Sequence, residues 1–243
     1  MPTGIIINSL SIIIGGVFGT LAGHKLDAKL KVELTAIFGL CSMGMGVSSI
    51  VLMQNMPAVI FAIVIGTAFG YVIHLGKWIE KGALWMEKPI AYIFKKENKN
   101  ISQGEFLTSL VTIIVLFCAS GTGIYGTLDA GMTGNHTVLI SKSILDFFTA
   151  AIFACNLGYV VSTIAIPQFL IFFGLFLVSR LITPFISSTM LADFKACGGF
   201  LMIATGLRIC KIKEFPVADM IPSMILVMPL SWIWVHWVLT LLG

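Results

Sequence analysis

Long apolar runs follow one another along this chain, with too few polar residues between them to build an aqueous surface. A helix crosses the hydrocarbon core of a bilayer with about 20 mostly apolar residues, somewhat fewer where it is bent. Eight runs meet that length: 4–24, 34–53, 57–76, 106–123, 138–160, 163–184, 191–209 and 217–242. Charged residues make up 11% of the chain. Soluble domains carry about 25%, so a soluble fold is excluded. The expected class is all-α, a polytopic transmembrane helix bundle of eight spans. The boundaries at 121–138 and 160–165 are the least defined. If one of those segments is re-entrant, the count falls to seven. The first run, Gly4–Gly23, has no basic flank before it and no clean cleavage site after it. It reads as a retained span rather than a removed signal.

Basic residues in the connections orient the spans. Lys25, Lys29 and Lys31 follow the first span. Lys77, Lys81, Lys88, Lys95, Lys96 and Lys99 follow the third, and Arg208, Lys211 and Lys213 follow the seventh. Only Arg180 and Lys195 fall on the opposite side, and Lys142 lies within a span. Both termini are therefore expected outside the cytoplasm. The third connection opens with KWIEKGALWMEKPIAYIFKK. Trp78, Ile79, Trp85, Met86, Ile90 and Ile93 share a helical face there. This predicts an interfacial amphipathic helix, with Lys95 and Lys96 towards anionic headgroups.

Three segments resemble one another: FGLCSMGMGVSSI (38–50), LFCASGTGIYGTL (116–128) and GFLMIATGLRICK (199–211). Each is an apolar helix end leading into small residues. In the first and third, a proline follows at nearly the same distance, Gly46 to Pro57 and Gly206 to Pro216. The expected organisation is a single transmembrane domain in four parts. Residues 1–76 form one three-helix repeat, 77–104 a cytoplasmic amphipathic loop, 105–160 a central kinked hairpin and 161–243 the inverted second repeat. Inverted repeats with broken helices at the midplane belong to secondary transporters.

Few residues are equipped for chemistry. Gly15, Gly19 and Gly23 are four apart, as are Gly66 and Gly70, a spacing that lets helix backbones approach closely. The stripe in the first span suits internal packing or a homo-oligomer. Asn8 stands one turn into that span and can hydrogen-bond across the bundle. Ser120, Gly121, Thr122 and Gly123 form the best candidate for unwound backbone, since glycines weaken the helix and hydroxyls satisfy freed groups. Lys142 and Asp146 are four apart and share a face close to Ser143 and Thr149. One ionised side chain at the bilayer centre costs about 2.5–3.5 kcal/mol on insertion scales, so an intramembrane pair points to function. Thr205 and Arg208 come from the third related segment, where Arg208 also suits snorkelling to the interface. Asp193 begins a span and is expected to favour the N-terminus of its own helix. Pro222 and Pro229 are expected to kink the last span. The five cysteines lack CxxC spacing and the four histidines are scattered, so no metal site is expected.

FCASGTGIYG, GMTG, KSILDFFTAAIFAC, ADFKACGG, ATGLRICKIKEFPV and NSLSIIIGGVFG resemble the YqgA/YdfK-type bacterial inner-membrane proteins, a family catalogued as a domain of unknown function. The resemblance runs over nearly the whole chain. It implies a bacterial inner-membrane location and no particular activity. Its pattern includes Lys142, Ser143, Asp146, Asp193 and Arg208. This chain has Tyr71 where some relatives carry an acidic residue.

The function expected is transport of a small solute or ion. The site would lie between the fourth, fifth and seventh spans. The alternatives are an ion channel and a non-transporting scaffold or sensor that docks through the third connection. No nucleophile–base set, HExxH or phosphate loop is present, so an enzyme is not expected. The partners expected are the lipid bilayer and a small solute or ion, without nucleic acid or cofactor.

Overall fold

The computed structural model describes residues 1–22, 27–93 and 103–242. Gly23, Lys25, Lys95, Lys96 and Lys99 lie outside the described residues. Those described are helical throughout their regular structure, with no strand among them. The helices are α1 (Thr3–Ala22), α2 (Ala28–Ile50), α3 (Met56–Val72), α4 (Leu75–Ile93), α5 (Gln103–Cys118) and α6 (Gly121–Thr133). They continue with α7 (Thr137–Leu157), the single turn α8 (Val160–Thr163), α9 (Ala165–Ile182), α10 (Ser188–Ile209) and α11 (Val217–Ile233). Among the described residues seven helices are long and apolar enough to cross a membrane, or eight if the bent pair α3–α4 counts as one span.

The chain divides into two compact units, one of Met1–Thr35 with Trp78–Arg180, the other of Ala36–Lys77 with Leu181–Gly243. In the first unit α1 lies directly on α7. A Cβ added at Gly15 would stand 2.2 Å from the Phe147 carbonyl oxygen, and one at Gly19 would stand 2.1 Å from that of Ala151. Gly15 and Gly19 of the first span are thus covered by α7. Ile12 of α1, Phe106, Leu110, Ile113 and Phe117 of α5, and Ala150 and Ala154 of α7 form a buried cluster beside it.

The second unit uses the same device twice. On α3, Gly66 lies against Ser223 of α11, and a Cβ at Gly70 would meet the Asp219 carbonyl oxygen at 2.0 Å. Helices α2 and α10 run antiparallel through two glycine pairs, Gly39 with Gly206 and Gly46 with Gly199. Close backbone approach replaces side-chain interdigitation, as small residues allow in lipid.

Polarity is distributed inside out. Ile14, Phe18 and Leu21 of α1 and Phe61 and Val64 of α3 are exposed, while Asn8, Gln168 and Asp193 are fully buried. A chain that shows many large apolar groups outward while it hides amides and carboxylates suits hydrocarbon rather than water.

Two boundaries differ from the sequence expectation. The third span ends at Val72 rather than at residue 76, and the chain bends there before α4 begins at Leu75. His74 makes the corner with φ 54°, and the Asp219 carboxylate accepts a 2.7 Å bond from Gly76 N at the start of α4. The segment after residue 123, expected as a connection, is the helix α6. Gly123 and Gly126 let it pack closely, and it buries Tyr125, Thr127, Asp129 and Met132. The last span stays helical through both Pro222 and Pro229 over Val217–Ile233, followed by a π-helical turn at Trp234–Val238.

The apolar face of α4 is also split. Ala83, Met86 and Ile90 face the first unit's core. Trp78, Trp85 and Tyr92 are 64%, 78% and 87% exposed. At about 100° per residue, the aromatic stripe lies between the core-facing side and the side bearing Lys77, Lys81 and Lys88.

Candidate functional site

Lys142 and Asp146 stand one turn apart on α7, at 3% and 6% exposure. The Lys142 ammonium donates to Asp146 Oδ2. The local reason is helical periodicity, which puts residues four apart on one face. The Lys142 side chain is buried and its ammonium pairs within the helix. Its Nζ also stands 5.8 Å from the centroid of the Phe117 ring on α5.

Two further helices complete the site. Asn8 of α1 donates from Nδ2 to Asp146 Oδ2 at 2.7 Å. Gln168 of α9 donates from Nε2 to Asn8 Oδ1 at 2.7 Å. Ser9 then donates from Oγ to Gln168 Oε1, again at 2.7 Å. Every donor along Ser9, Gln168 and Asn8 points the same way, towards the Asp146 carboxylate. Hydrogen bonds to an ionised group are roughly twice as strong as neutral ones. An aligned chain of amides further polarises towards the charge it serves.

The break in the fourth span borders this cluster. It falls at Ala119 and Ser120, so the unwound stretch is shorter than the sequence suggested. Gly121, Thr122 and Gly123 form the first turn of α6 instead. Ser120 is extended at φ −72° and ψ 140°, and its Oγ accepts from Gly123 N at 3.1 Å. That cap restarts the helix at once. A Cβ added at Gly123 would stand 2.9 Å from Lys142 Cε and 2.4 Å from Phe172 Cζ. Glycine here makes room for the lysine stem. One turn further, the Thr127 hydroxyl is buried without a hydrogen-bond partner among the described residues.

The structure thus brings together Asn8, Ser120, Gly123, Lys142 and Asp146. Ser143 turns away to the Leu139 carbonyl at 2.7 Å. Thr205 and Arg208 belong to the second unit and have partners of their own. Thr205 Oγ1 donates to the Leu201 carbonyl at 2.8 Å, and Arg208 pairs with Glu214 at 3.0 Å while both stay largely exposed. Arg208 is an exposed cation in the last turn of α10. Sequence reasoning missed Ser9 and Gln168. A lone glutamine inside the apolar run IAIPQFL was the available signal, since a buried amide needs partners.

Asp193 also departs from expectation. It does not serve the N-terminus of α10. Its Oδ1 accepts from Gln54 N and Asn55 N, each at 2.9 Å. Its Oδ2 accepts from Asn55 Nδ2 at 2.9 Å and from Ser231 Oγ at 2.6 Å. It clamps the chain entering α3, with four donors on two oxygens. Among the described residues no group of three or more His, Cys, Asp or Glu could hold a metal ion.

Comparison with known proteins places residues 3–232 within the family described as "Protein of unknown function (DUF554)". The uncharacterised protein YqgA of Escherichia coli (strain K12) is 45% identical over 237 residues, covering 98% of this chain and 99% of that protein. The uncharacterised membrane protein YdfK of Bacillus subtilis (strain 168) is 24% identical over 229 residues, covering 92% and 93%. No solved structure matches the chain.

Proposed function

The chain belongs to the DUF554 family and is a multi-pass membrane protein, and we propose that it transports a small solute or ion. The site would be the cluster around Asp146. One observation carries the reading: an ionised pair is held inside a membrane-spanning helix and wired by aligned amides to two other helices. Packing alone does not call for such a group. A hydrophobic pair of similar volume would hold three helices together without the cost of burying charge. The adjoining helix break at Ser120 and the unpartnered Thr127 hydroxyl support a ligand path there. The reciprocal glycine pairs between α2 and α10 support the proposed inverted relationship of the flanking segments. The location proposed is the bacterial inner membrane, with both termini outside the cytoplasm, from the lysine-rich connections.

A second reading has one specific support. The outward stripe of Trp78, Trp85 and Tyr92 on α4 offers a docking surface for a scaffold or sensor.

The test is a thermal-shift screen of the protein in detergent against ions, amino acids, organic acids and metals, run beside Asp146→Asn. A ligand at 100 times its Kd adds about 2.7 kcal/mol of apparent stability. A response that Asp146→Asn abolishes supports the reading. No response from any class, with Asp146→Asn merely less stable, turns the weight to the scaffold.

A further inference from the structure

Asp146 and Asp193, two of the carboxylates buried in the spans, are satisfied in opposite ways. Asp193 has two donors on each oxygen, all neutral. Nothing further can approach it, and nothing charged is needed. Asp146 takes both of its donors on Oδ2, and no described residue donates to Oδ1. One of its two donors is a cation. That cation, the ammonium of Lys142, stands between the carboxylate and the aromatic face of Phe117. Carboxylate oxygen, amide oxygen and aromatic face are the groups that recognise small cations out of water. Turning the Asn8 amide would bring its oxygen to the carboxylate, because Oδ1, which accepts from Gln168 Nε2, lies on the same side chain whose Nδ2 touches Asp146. Gly123 keeps the space around the lysine stem clear.

From this geometry we infer that Asp146, Asn8 and Phe117 form a binding site for a small monovalent cation, of ammonium or alkali type, whose resting occupant is the ε-ammonium of Lys142. The lysine is a tethered competitor. It keeps the carboxylate neutralised within the membrane when the site is empty of free cation. A free cation enters at Oδ1, takes the carboxylate and displaces Lys142. This deepens the transport reading and rests on it, by naming the ligand class of the same site.

Removing the competitor tests the inference. Lys142→Ala in detergent should gain a melting temperature that rises and saturates with ammonium, methylammonium or sodium chloride, against choline chloride at equal ionic strength. The native protein should respond at higher concentration, because its own ammonium competes. The double variant Lys142→Ala/Asp146→Asn should not respond. Identical melting of Lys142→Ala in all four salts overturns the inference, as does an equal response in the double variant. Should Lys142→Ala fail to fold in choline chloride, recovery of monodisperse protein when it is extracted in ammonium chloride supports the site. Lys142→Met keeps a straight stem along Gly123 and serves as the second variant. A Lys142→Met protein that folds and ignores every small cation, with no cation recovery of Lys142→Ala, overturns it. A saturating response of the native protein to an anion or neutral solute, without any cation response in Lys142→Ala, overturns the cation site and leaves transport standing. A cation response in detergent without cation-dependent flux in sealed vesicles supports the site and removes transport.

Discussion

Gly46 and Gly199 face each other across α2 and α10, and each presents its carbonyl oxygen 2.6 Å from where the other's Cβ would stand. The relationship is reciprocal, so neither helix can accept a side chain without moving the other's backbone. Gly46→Ala or Gly199→Ala should each lose about 1–3 kcal/mol of stability in detergent. The double variant should lose less than the sum, because the first methyl has already parted the helices. Gly44→Ala is the internal control. Nothing lies within 4 Å of its added Cβ, and helix propensity favours alanine by up to about 1 kcal/mol. Thermal unfolding of the four variants decides it, and a Gly44→Ala loss equal to that of Gly46→Ala would sink the packing account.

Charge pairing at Asp146 predicts an asymmetry between single and double variants. Asp146→Leu leaves Lys142 buried and unpaired and should cost about 3–5 kcal/mol. Adding Lys142→Met should return most of that loss, since a neutral apolar pair fills the same space. Denaturant titration in one detergent gives both values.

Asp193 should behave as a clamp and nothing more. Asp193→Ala strips the partner from four donors and should lose at least about 2 kcal/mol. It should leave any ligand response of the Asp146 site unchanged in the same thermal-shift series. A lost response with stability intact would assign Asp193 a role that the hydrogen bonds do not.

The corner at His74 holds a non-glycine residue in the left-handed region, at φ 54°. That conformation costs about 1–2 kcal/mol for an ordinary L-residue. His74→Gly should be neutral or stabilising, whereas His74→Val should lose about 1 kcal/mol or more. Melting temperatures of the two variants check the sign.

The aromatic stripe of α4 predicts a depth. With Trp232, Trp234 and Trp237 replaced by Phe, the remaining Trp78 and Trp85 should be quenched by lipids brominated near the headgroup end of the chain more than by lipids brominated at its terminus. Replacing either by Ala should leave stability in detergent nearly unchanged, because both are largely exposed.

Much of this was legible in the sequence. The spans announce themselves by length and hydropathy, and helical spacing alone joins Lys142 to Asp146. Asn8 was recognisable as a cross-helix donor because an amide in a span must find a partner. Gln168 carried the same signal one span from the next clue, and periodicity within a helix says nothing about which helices meet. Asp193 was misassigned for that reason: a carboxylate at a helix start suits its own N-terminus, and only the fold brings Gln54 and Asn55 to it. The helix α6 was hidden by its composition. Three glycines in GTGIYG read as a breaker, whereas in the structure Gly123 lets the helix pass close to Lys142 and Gly126 lets it pass close to Val138 and Leu139.

The sense of the hydrogen bonds from Ser9 to Asp146 has a consequence for signalling. Each amide gives its N–H in one direction and its carbonyl in the other. Asn8 cannot turn over alone, because its carbonyl would then oppose the carboxylate and its NH2 would oppose that of Gln168. If Asn8 turns, Gln168 must turn and the Ser9 hydroxyl must reverse. The three side chains therefore behave as a single binary element, with its value set by the charge at Asp146. The carboxylate paired with Lys142 holds it one way; a free cation in the proposed site, drawing also on the Asn8 oxygen, would hold it the other. Cation exchange at one carboxylate on α7 would thereby be written into the orientation of an amide on α9, with no helix required to shift.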